Sequence, residues 1–115
     1  MGIFRKQKPT ETGSSLLERA IAAHETSTRI ADLEPRQVVE VVGTIEHVAT
    51  VQLDGMVAFE IEIRDGTASL VALWTGRTSI SCVERGRRIA LWGRAAPMRR
   101  EDSLVVYNPR YELLP

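Results

Sequence analysis

Between two turn signals, Asp54-Gly55 and Asp65-Gly66-Thr67, the segment Val57 to Arg64 alternates without a fault. Val57, Phe59, Ile61 and Ile63 fall on one parity; Ala58, Glu60, Glu62 and Arg64 fall on the other. Successive side chains of an extended strand point to opposite faces, so this pattern fits a strand with one face in a core and the other toward water. Asp-Gly on both flanks supplies the left-handed backbone of tight connections, so neighbouring strands are expected to fold back on it.

The flanking segments satisfy that expectation. From Val38 to Val48 one parity reads Val39, Val41, Gly43, Ile45 and the other Glu40, Val42, Thr44, Glu46. This predicts a long half-buried strand, with His47 on its inward parity. Gly43 in its middle predicts a bulge or sharp bend. Ser69 to Trp74 is a third strand, apolar on both parities. "GRTSISCVERG" reads as a connector of one or two helical turns. Arg88 to Ala95 is a fourth strand, with Ile89, Leu91 and Gly93 opposite Arg88, Ala90, Trp92 and Arg94. "APMRRED" is a turn, Leu104 to Tyr107 a fifth strand, and "NPRYELLP" a tail.

Upstream, residues 1–13 are polar, broken by Pro9 and Gly13, and predicted to be a disordered tail. Residues 14–35 read as a short helix and linker: Leu16, Leu17, Ala20, Ile21 and Ala23 lie at helical spacing, and Ser15 with Glu18 can form a capping box. Pro35 ends any helix. Residues 36–113 then hold five strands, the first long and bent, with a break between the third and fourth. That order describes an all-β, five-stranded Greek-key barrel of the OB-fold type, preceded by an N-terminal α-helix. From strand count alone, an SH3-like barrel is the alternative.

At 115 residues the chain is expected to be one domain. Its single cysteine, Cys82, excludes an internal disulfide framework or a cysteine-rich zinc site, points to a reducing, cytoplasmic setting, and reads as a small core residue. No run of about 18 apolar residues exists to span a membrane, and "MGIFRKQKP" lacks the apolar run of a signal peptide. The formal net charge is zero, which counts against binding nucleic acid through bulk charge. The charge is unevenly spread, however. Through residue 73 there are seven basic and eleven acidic residues; from Trp74 onward there are eight basic and four acidic, and all eight are arginines. Arginine suits phosphate and base stacking better than lysine.

"VVEVVGTIEHV", "EIRDGTASLVALW", "ERGRRIALWGRA" and "YNPRYEL", in this order and spacing, resemble the OB-fold nucleic-acid-binding family. The similarity is to the wedge domain of RecG-type helicases, to anticodon-binding-like OB modules, and to small stand-alone actinobacterial proteins in which a motif like "IADLEPRQ" precedes the barrel. It covers about Thr28 to Leu113. The family's second glycine after Asp-Gly-Thr is Ala68 here, so no ligand role is carried over to that turn.

Catalysis finds little support: His24 and His47 sit in different elements, and no nucleophile, metal or cofactor motif is present. A non-catalytic binding protein for single-stranded DNA or RNA, of weak to moderate affinity and without cofactor or metal, is the expectation. The resemblance implies the face of strands two and three, where a basic groove and stacking aromatics hold the strand. The candidates are Arg64, Trp74, Arg77, Arg88, Trp92, Arg94, Arg99, Arg100 and Arg110, with Tyr107 beside them. Trp74 shares the parity of Leu70 and Ala72, which points it inward; Trp92 shares that of Arg88 and Arg94. Glu40, Glu46, Glu60 and Glu62 are expected outward, leaving the middle of the groove acidic, and aromatic content is only 5%. The alternative is a protein-interaction or oligomerisation module built on the same barrel.

Overall fold

The computed structural model describes residues 27–97 and 104–115. The expected tail and N-terminal helix, and with them His24, lie outside the described residues, as do Arg99 and Arg100. Six strands follow one another: β1 Val38–Leu53, β2 Met56–Arg64, β3 Ser69–Thr75, β4 Arg88–Pro97, β5 Leu104–Tyr107 and β6 Arg110–Leu113. A 3-10 turn, Ile30–Asp32, precedes them.

The long β1 closes the sheet on itself. Its first half, Val38 to Thr44, pairs with β4, and from Thr44 to Leu53 it pairs with β2. The hydrogen-bonded circuit is β1-β2-β3-β5-β4 and back to β1, antiparallel throughout except for β3 with β5. This is the five-stranded OB barrel. The bend that lets one strand serve two partners lies at Gly43. A β-carbon there would stand 2.9 Å from the Arg64 carbonyl oxygen, so only glycine lets β2 approach this closely. The expected Asp54-Gly55 turn is present with both residues left-handed, as a two-residue hairpin requires.

The barrel is filled by the inward parities of the strands: Val39, Val41 and Ile45; Phe59, Ile61 and Ile63; Leu70, Ala72 and Trp74; Ile89, Leu91 and Ala95; and Val106. Ile30 from the 3-10 turn and Ile80 and Val83 from the β3–β4 connection join the same core. Among the described residues no polar or charged side chain is buried. None of their helices is long and apolar enough to cross a membrane.

Four local expectations are corrected. The β3–β4 connection holds no helix: the Val83 amide bonds the Ile80 carbonyl at 3.1 Å, a single turn, and Cys82 between them is left-handed, which stops propagation. Cys82 is exposed, not a core residue. His47 points outward because a bulge between Ile45 and His47 adds one residue to β1 and inverts its parity. The segment after Tyr107 is not a free tail. Asn108, left-handed, and Pro109 end β5, and β6 then pairs with the Ile89–Trp92 part of β4. The turn after β2 carries its left-handed residue at Gly66; Ala68 is not left-handed.

Candidate functional site

The outer parity of β4 carries Arg88, Ala90, Trp92 and Arg94, as the alternation predicts. What the sheet adds is their neighbours. Trp92 stands between Glu40 of β1 and Arg110 of β6; Ala90 between Val42 and Glu112; Arg94 beside Val38; and Arg88 beside Thr44. Trp92 is half-buried. Its base leans on a small apolar cluster of Val42, Ala90 and Leu114. The Arg110 guanidinium carbon lies 5.7 Å from the Trp92 ring centroid, a cation–π contact across two strands. Arg94 is exposed and spends one N–H on the Arg36 carbonyl at 2.7 Å; a guanidinium has five such donors.

This face extends sideways through Thr44, which pairs with Arg88 of β4 and also with Arg64 of β2. The two arginines therefore flank Thr44 in one cross-strand row, about 10 Å apart at neighbouring-strand spacing. Both line a cleft of ≈ 490 Å³, together with Arg29, Glu46, Asp65 and Gly66. Arg29 is held by Asp32 through bonds of 3.0 and 3.2 Å, which raises its pKa and lowers that of Asp32. Asp65 is a structural acceptor. Its Oδ1 accepts from the Thr67 amide and hydroxyl and the Ala68 amide, and its Oδ2 from the Ile30 amide at 2.8 Å. Burial pushes the Asp65 carboxyl upward, but these hydrogen bonds outweigh it and the net shift is down.

Trp74 belongs to the core. It is 7% exposed, its Nε1 donates to the Pro109 carbonyl at 3.0 Å, and it packs against Phe59 (6.2 Å between centroids) and edge-on to Tyr111 (5.7 Å). Arg77 is exposed, two residues past the end of β3 that pairs with Ala58, while Arg64 lies at the other end, opposite Ser69. The fold thus gathers Arg64, Arg88, Trp92, Arg94 and Arg110 along one side of the barrel and leaves Arg77 apart. The outer face of β2 and β3 is different. Glu60 and Glu62 point outward there, Glu62 lies 3.8 Å from the exposed His47, and no arginine occupies its centre. Its aromatic is Tyr107 of β5, 46% exposed and paired with Leu73. Neither the Thr44 row nor the Arg110–Trp92 contact is written in any one segment; the short "RYEL" alternation after Asn-Pro is the only local sign of β6.

No protein-family model and no curated protein matches the sequence. Among solved structures, the chain is similar to RecG bound to a three-way DNA junction, with a TM-score of 0.62 and 19% identity over 76% of this chain and 12% of that one. It is also similar to the OB domain of Ta0387 from Thermoplasma acidophilum, with a TM-score of 0.55 and 22% identity over 76% of this chain and 85% of that one. The chain spans only a small part of RecG. At these identities the likeness is one of fold, and the fold is the OB barrel.

Proposed function

We propose that this chain is a non-catalytic nucleic-acid-binding protein that holds a single strand across the outer face of β4. The observation that carries this reading is the Arg110–Trp92 pair at 5.7 Å, set on one face with Arg88 and Arg94 and continued by the Arg64–Thr44–Arg88 row. A half-exposed indole offers a platform for any base, worth about 1–3 kcal/mol per stacked base. Arginines on either side can neutralise successive phosphates while the ring holds the base. That RecG, one of the similar folds, was captured on a DNA junction adds support of a general kind.

Glu40 and Glu112 on the same face, and the zero net charge, set the affinity low. Binding is therefore governed by a few local contacts and not by a strong overall field. Titrating the intrinsic tryptophan emission with short single-stranded DNA and RNA at low salt tests the reading. Quenching that Trp92→Phe removes and Arg110→Ala weakens supports it. Emission unchanged by either nucleic acid, together with no shift in the anisotropy of a labelled strand, rejects it.

A further inference from the structure

At Glu46, β1 carries one residue more than β2. The ladder pairs Ile45 with Ile63 and then His47 with Glu62, so Glu46 has no partner on β2. A bulge bends its strand and can re-aim a side chain, and bulges gather beside functional sites. Here the extra residue is an exposed carboxylate. It lines the same ≈ 490 Å³ cleft as Arg64, Thr44 and Arg88, and also a second cavity of ≈ 320 Å³ with Arg85 and Gly86. The other charges of the first cleft are differently committed. Arg29 is tied to Asp32. Asp65 spends both oxygens on hydrogen bonds to Ile30, Thr67 and Ala68. The ion pairs between described residues are Arg29–Asp32 and His47–Glu62, and no hydrogen bond joins the Glu46 side chain to another described residue.

A cradle for phosphate alone has no use for Glu46, which repels the anion that the arginines attract. Both signs serve a ligand with phosphate at one end and N–H donors at the other, which is a nucleotide. The volume suits one, since small-molecule sites run about 300–1,000 Å³. The bases differ in what they offer a carboxylate, which only accepts hydrogen bonds. Guanine presents two adjacent donors, N1–H and its N2 amino group, one for each oxygen. Adenine and cytosine place a ring acceptor beside their amino group. Thymine and uracil flank a single N–H with carbonyls. In a single strand these edges are open to be read, and guanine alone pairs with both oxygens.

We propose that Glu46 gives the bound strand a preference for guanine: the Arg64–Thr44–Arg88 row holds the phosphates flanking one nucleotide, and Glu46 accepts from N1–H and N2–H of its base in the cleft. This rests on the reading of the chain as a single-strand binder and adds a base preference to it. The division of labour is the general one, in which phosphate contacts position the strand without regard to sequence and a base contact specifies.

Anisotropy of labelled thymine strands at low salt tests this, with one internal position left as thymine or changed to guanine, adenine or hypoxanthine. Wild type should hold the guanine strand about 5- to 150-fold tighter than the adenine strand, the worth of one bidentate base contact. Hypoxanthine lacks the N2 amino group and should fall between them. Glu46 is exposed, so its replacement should leave the barrel folded. Glu46→Ala should bring the guanine and adenine strands to one affinity. It should hold the all-thymine strand at least as well as wild type, because a carboxylate near the phosphates is gone. Arg64→Gln should weaken the guanine and adenine strands alike and keep their ratio. If wild type binds every strand equally, or Glu46→Ala keeps the guanine preference, the proposal is overturned and the β4 reading stands. If no strand binds, that reading falls and the base preference falls with it.

Discussion

Arg64 of β2 and Arg88 of β4 flank Thr44 in a single cross-strand row, because β1 changes partner at that residue. The bend that makes one strand serve two sheet neighbours also joins the two arginines into one surface. It extends the basic face of β4 around the barrel to the end of β2, where Arg64 lies two residues from Glu62 and the acidic centre of β2 and β3 begins.

If both arginines contact phosphate, Arg64→Gln and Arg88→Gln will each weaken single-strand binding about equally for all sequences. Each will also make the plot of log affinity against log salt shallower by about 0.7, the value for one phosphate on a single strand. Anisotropy of a labelled strand over a salt series measures both. Arg77→Gln, at the far end of β3, should leave affinity and slope as they are.

The two tryptophans should separate stability from binding. Trp74→Ala empties a core position and removes the Nε1 bond to Pro109, with an expected loss of about 3–5 kcal/mol. Trp92→Ala removes a half-buried ring from the surface and should cost far less. Urea unfolding of the two variants gives the comparison, and a larger loss for Trp92 would contradict the assignment of faces.

Gly43→Ala sets a β-carbon 2.9 Å from the Arg64 carbonyl oxygen. Backbone cannot yield as a side-chain tip can, so the strands must part. An expected loss of about 1–3 kcal/mol should appear as a lower urea midpoint, with weaker binding because the Arg64–Arg88 row loosens. An unchanged midpoint would show that β1 bends elsewhere.

Asp65 should make the fold sensitive to acid. Its carboxyl is burdened by burial but held below its ordinary pKa by bonds from Thr67, Ile30 and Ala68. A depressed folded-state pKa gives stability that is present above the unfolded value, about 3.9, and lost as pH falls through the folded one. Urea midpoints should therefore drop below about pH 4. In Asp65→Asn the midpoint at neutral pH should be lower and the acid-dependent loss smaller.

The barrel was legible in the sequence because β1, β2 and β4 announce themselves by parity and turn signals mark off the apolar run of β3; Val57–Arg64 needs no tertiary information at all. The failures share a physical cause. At Glu46 an extra residue inverts the parity, so His47 read as inward and lies outside. β6 has four residues after Asn108-Pro109, too short for a period to rise above a tail. Ile80 and Val83 sit at helical spacing but close a single turn. Arg88, Trp92 and Arg94 could be placed on one face from the sequence because they alternate along a single strand. Arg64 and Arg110 join them only through cross-strand register, which depends on where β1 bends and where β5 breaks.

The central claim is that Trp92 is a stacking platform, and anisotropy of a fluorescent single strand with wild-type and Trp92→Ala protein at low salt tests it most directly. Loss of one stacked base predicts affinity about 5- to 150-fold weaker, with Trp92→Phe in between and the salt dependence of both close to wild type. Equal affinity for wild type and Trp92→Ala, or wild-type binding indifferent to salt, would contradict the account.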